Sequence, residues 1–100
     1  MQVSLVSENL DNVIESIVDS GNVLLRCLDA AGMDRYKLLK FISSEDILYI
    51  NRQQRETVFS EFNNLSAYSV TKEEAMFFEK IDNLKDKADV HDILRIGDSN

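Results

Sequence analysis

The stretch from Ser7 to Ala31 constrains this chain more than any other. Leu10, Ile14, Ile17, Gly21, Leu24, Leu28 and Ala31 recur in steps of four and three, a seam of heptad type, and Val13, Val18 and Leu25 widen it. On an ideal helix these side chains cover an arc of roughly 140°, and Glu8, Asp11, Glu15 and Asp19 form an acidic ridge outside it. The spacing predicts one long amphipathic helix over about 7–31, capped by Ser7 and stopped at Gly32. Asp19, Ser20, Gly21 and Asn22 resemble a turn that could end this helix early. The seam resumes in phase at Leu24 and Leu28, however, which favours continuity, with Gly21 letting a second helix approach closely.

Past Gly32, Asp34 is positioned to cap a short greasy helix over 34–42. Ser43 or Ser44 then caps a third helix over 44–64, whose apolar face carries Ile47, Leu48, Val58, Phe59, Phe62 and Leu65. Asn51, Gln54 and Arg55 interrupt that face. The interruption is either a break in the helix or a polar notch left open to a partner. Thr71 and Glu74 form a T-x-x-E capping box that opens a helix over 72–86, with Phe77, Ile81 and Leu84 on its apolar side. Val90, Ile93 and Leu94 fall out of phase with it, which predicts a break and a last short helix over 90–96, ahead of a frayed tail at 98–100. Met1 to Val6 is an apolar lead too short to assign.

These segments add up to an all-α fold, a small antiparallel bundle of three main helices (about 7–31, 44–64 and 72–86) and two short ones (34–42 and 90–96), in a single helical domain over 1–100. The absence of proline and the presence of only three glycines fit helices with tight connections better than a strand-rich fold. Cys27 has no second cysteine to pair with, and no apolar run reaches the roughly 18 residues of a membrane span, so a reduced, cytoplasmic setting is expected.

The formal net charge of −7 argues against direct nucleic-acid binding, because that affinity comes from Lys and Arg neutralising phosphates. Only residues 33–64, with five acids and five bases, break the acidic excess. Catalytic patterns are missing as well. His91 and Asp92 make an H-D pair without the further ligands a metal needs, and Cys27 lacks a visible activating base. There is no phosphate loop, nucleophile elbow or paired-histidine motif, so neither enzyme activity nor a metal or other cofactor is expected.

Two surface features remain as candidate contact sites. One is the ridge Glu8, Asp11, Glu15 and Asp19, suited to a basic partner. The other is the notch Asn51, Arg52, Gln53, Gln54 and Arg55, where planar guanidinium and amide groups suit a specific protein contact. The expected function is that of a small acidic protein-binding module that occupies a partner surface as an inhibitor, adaptor, immunity-type partner or chaperone. Its sharpest version blocks a basic nucleic-acid-binding groove on another protein. The size and acidity are similar to those of phage-encoded inhibitors and bacterial immunity proteins, a likeness of profile carried by no motif. The alternatives are a self-associating assembly component, pairing as a homodimer through the long first helix, and a nucleic-acid binder using Arg52 and Arg55.

Overall fold

A computed structural model describes residues 1–43 and 45–97. Four strands, β1 (Gln2–Val6), β2 (Val13–Val18), β3 (Leu48–Ile50) and β4 (Ile93–Gly97), form one antiparallel sheet in the order β2-β1-β4-β3. Three helices, α1 (Val23–Ala31), α2 (Arg52–Leu65) and α3 (Lys72–Lys87), share one core with a single face of that sheet. The expected all-α bundle is therefore wrong: the fold is a two-layer α/β arrangement, and of the five expected helices only the one from Lys72 keeps its bounds to within a residue.

The long first helix is the largest correction. Its first half is the hairpin loop and β2, which pairs with β1, and its second half is α1. Val13, Ile14, Ile17 and Val18 are β-branched; they lose rotamer freedom in a helix and pack well on a pleated surface. The pairs Val13–Ile14 and Ile17–Val18 also satisfy helical spacing, so the strand was hidden in the seam. Asp19 to Asn22 does act as the turn, with Asn22 at φ 52°, a left-handed conformation that no helix can run through. Ser7 caps no helix. Its N–H donates to Asn12 O (2.9 Å) and its Oγ accepts from Asn12 N–H (3.1 Å), closing the hairpin loop.

The expected helix over 34–42 is instead a pair of single 3₁₀ turns, Met33–Arg35 and Leu39–Phe41. Glu61 on α2 holds the second turn by accepting from the N–H groups of Leu38 (3.1 Å) and Leu39 (3.0 Å). The segment expected as one helix from 44 contains β3, then α2. Of its two proposed caps, Ser43 Oγ accepts from the N–H groups of Glu45 (3.2 Å) and Asp46 (3.0 Å) ahead of β3 and caps no helix, while Ser44 and the tail 98–100 lie outside the described residues. The segment 90–96 is mostly strand β4, in which Leu94 and Ile96 alternate with Ile93 and Arg95.

Register fixes which side chains meet the helices. Val3 pairs with Ile17 and Ile96, and Leu5 with Glu15 and Leu94, so these positions share the face toward the core. From the helices, Leu24, Cys27 and Leu28 of α1, Val58, Phe59, Phe62 and Leu65 of α2, and Phe77, Phe78, Ile81 and Leu84 of α3 recur at helical spacing and are buried. Fully burying one such Leu or Phe side chain contributes about 1.5–3 kcal/mol, which makes this seam the main source of stability. No helix among the described residues is long and apolar enough to cross a membrane.

Candidate functional site

Among the described residues β2 lies at the edge of the sheet, with β1 on one side and no strand on the other. Asp19 N–H donates to Met1 O at 2.8 Å, which makes Met1 and Asp19 a hydrogen-bonded pair and, by alternation, places Val3–Ile17 in the same class. The amides and carbonyls of Ser16 and Val18 therefore point away from β1, toward the open edge. Val13, Ile14 and Val18 are 49%, 44% and 60% exposed, values that leave an apolar strand in solvent where natural edges usually carry lysine or proline. A bulge sits at one end: Leu5 pairs with Glu15 but Val6 with Val13, leaving Ile14 as the extra residue.

Beside this edge runs a groove of about 670 Å³ between β2 and α3. Val23 and Phe77, both largely buried, and the half-buried Ile17 give it an apolar floor. Lys87 Nζ on the last turn of α3 donates to Glu15 Oε1 on β2 (2.8 Å) and lies 2.7 Å from Oε2, closing one end with an ion pair. At the other end, near the start of α3, stand Asp19, Glu73 and Glu74. Asp19 is buried and accepts from Val23 N–H (2.8 Å) and Leu24 N–H (3.0 Å), so it terminates α1 at its positive end. Glu74 accepts from Val70 N–H (2.8 Å) and pairs with Arg26 of α1. The Val70 bond, followed by Arg26, holds its carboxyl below the usual carboxylate range.

The acidic ridge expected from a helix is thus dispersed. Glu8 and Asp11 project from the hairpin loop, Glu15 is tied to Lys87, and Asp19 is a structural cap. The notch has dissolved in a similar way. Asn51 is the N-cap of α2 and forms a reciprocal capping box with Gln54, at 3.1 and 3.2 Å. Arg55 donates to the carbonyls of Asp89 (2.7 Å) and Asp92 (3.3 Å), bracing the turn into β4. Asn51, Arg52 and Gln53 are exposed and line a shallow depression with Glu8, Val90, His91 and Ile93, and of the three Asn51 is already engaged as the cap. The N-x-x-Q signature of the α2 cap was available in the sequence; the β2 edge was signalled only by its β-branched residues.

His91 is exposed, with Nδ1 3.8 Å from Glu8 Oε2, a contact that is ionic only when the imidazole is protonated. Cys27 is buried in the core, and that burial pushes its thiol pKa up, away from the reactive thiolate. Among the described residues, no group of three His, Cys, Asp or Glu side chains is gathered as it would be around a metal ion. No protein-family model, curated protein or solved structure matches the chain.

Proposed function

We propose that this chain is a small acidic protein-binding module, a binder rather than an enzyme, that acts by occupying a surface on another protein through the β2 edge and the adjoining groove. The observation that carries this reading is the outer edge of β2, which pairs with no strand among the described residues and has Val13, Ile14 and Val18 in solvent beside an apolar-floored groove. Such an edge supplies main-chain hydrogen bonds for affinity, and the groove supplies side-chain selectivity. The net charge of −7 favours a partner with a basic surface and speeds its encounter. Within this class, blocking a basic nucleic-acid-binding groove of that partner is the sharpest form of the proposal. Direct nucleic-acid binding through Arg52 and Arg55 has less support, since Arg55 is committed to the carbonyls of Asp89 and Asp92.

The test is affinity capture from native extract with matched variants. A protein retained by the wild type and by Arg52→Ala, but lost with Val18→Lys and with Ser16→Pro, supports the reading. Proline at 16 removes an outward amide, a position that edge strands tolerate, and an unchanged urea midpoint checks the fold. Equal retention by both edge variants contradicts it.

A further inference from the structure

Building on that reading, we infer that the occupant of the β2–α3 groove is an extended segment of the partner, added antiparallel to β2 as a fifth strand, with a basic side chain two positions before an apolar one. Three observations converge on this chemistry. First, the outward amides and carbonyls of Ser16 and Val18 offer two hydrogen-bonded positions to an incoming strand, with Ile17 between them as a close, non-hydrogen-bonded position. The residue opposite Ile17 points, as Ile17 does, toward the floor formed by Val23 and Phe77, which selects an apolar side chain.

Second, the groove is electrically polar along its length. α3 runs opposite to β2: its last turn reaches Glu15 through Lys87, and its first turn reaches α1 through Glu74 and Arg26. Carboxylates of Asp19, Glu73 and Glu74 therefore gather at one end, while the ammonium groups of Lys80 and Lys87 lie farther along. Glu73 is exposed and appears in no ion pair among the described residues, so it is the carboxylate most available to a partner cation. In an antiparallel fifth strand, the residue two positions before the apolar one lies opposite Asp19, at this acidic end. A basic side chain fits there.

Third, the protection that β2 has, the bulge at Ile14 and the Glu15 charge turned inward to Lys87, lies before the stretch that would pair, and Ser16–Val18 carries no charge and no proline. A second copy of β2 is a poorer occupant. Pairing Ser16 with Val18 of another copy sets Glu15 opposite Asp19, acid against acid.

The experiment uses the full chain and a capped heptapeptide of threonines carrying one arginine and, two positions later, one valine. Binding is followed by fluorescence anisotropy of a labelled peptide at two salt concentrations. The expected results are saturable binding that weakens as salt rises, about threefold to tenfold weaker binding to Glu73→Lys, and at least tenfold weaker binding of a peptide N-methylated at the residue facing Ser16. Equal binding of a peptide with glutamate in place of arginine overturns the charge assignment. Equal binding of the N-methylated peptide overturns strand addition. A chain that is dimeric at the concentrations used, with Val18→Lys restoring the monomer, replaces the peptide with a second copy and overturns the proposal. If native capture depends on the edge but no such peptide binds, this inference falls and the proposed function stands; if the peptide binds but capture ignores the edge, the proposed function falls instead.

Discussion

Lys87 on the last turn of α3 donates to Glu15 Oε1 on the edge strand β2 at 2.8 Å, across 72 positions of sequence. Both side chains are partly exposed, so Lys87→Ala is expected to lower stability by at most about 1 kcal/mol. Its larger effect is on the groove, which loses its closed end. The expected outcome is an almost unchanged urea midpoint together with altered affinity for a groove-binding peptide, read by anisotropy.

Asp19 separates a structural acid from a surface one. Replacing it with alanine leaves the N–H groups of Val23 and Leu24 without their acceptor, and is expected to cost about 1–2 kcal/mol. Asp11→Ala, in the exposed hairpin loop, is expected to stay within about 0.5 kcal/mol of wild type. Denaturant unfolding of the two variants checks this; equal effects would show that the two carboxylates are equivalent after all.

Glu74 sets a pH dependence whose sign follows from its lowered pKa. A carboxylate that ionises more readily in the folded state than in the unfolded chain stabilises the fold above its unfolded pKa, and that contribution is lost as pH falls through the folded value. Glu74→Gln is therefore expected to be less stable than wild type at neutral pH, with the gap closing in acid. Urea midpoints measured across the acidic range test this. A gap that widens in acid contradicts the assignment.

Packing predicts a sharp contrast between the two faces of the molecule. Phe62→Ala, in the core, is expected to cost about 3–5 kcal/mol, whereas Val18→Lys, on the open edge, is expected to change stability by less than about 0.5 kcal/mol. Thermal melts monitored by circular dichroism separate the two outcomes.

The parts of this fold that could be read from the sequence were those where one local pattern admits one structure. Thr71 and Glu74 announced α3, and Thr71 Oγ1 does accept from Glu74 N–H at 3.2 Å, while the Glu74 carboxylate reaches Val70 N–H and Arg26. The apolar spacing of Phe77, Ile81 and Leu84 did the rest. β2 and β4 were lost because short strands leave ambiguous traces: Ile14 and Ile17 satisfy helical spacing as readily as Val13, Glu15 and Ile17 satisfy a strand. Tertiary pairing decided between them. β2 is a strand because Gln2–Val6 lies beside it, and β1 in turn depends on β4, ninety residues later in the chain.

The candidate site was obscured by the same ambiguity. Once Glu8 to Asp19 are placed on a hairpin, their carboxylates no longer form a ridge, and Asp19 becomes the support of α1. The notch at 51–55 was a helix start, its polar side chains mostly engaged with backbone. What the helical reading could not show is a strand edge, since the free groups belong to main chain and exist only after pairing has chosen which side is covered.

Amide hydrogen exchange at β2 tests the central claim most directly. Ser16 and Val18 should exchange at rates close to those of an unprotected chain, while Ile17 and Asp19, whose amides turn toward β1, exchange much more slowly. Equal protection at all four positions would mean that the edge is already covered in the free protein, and the strand would not be available to a partner.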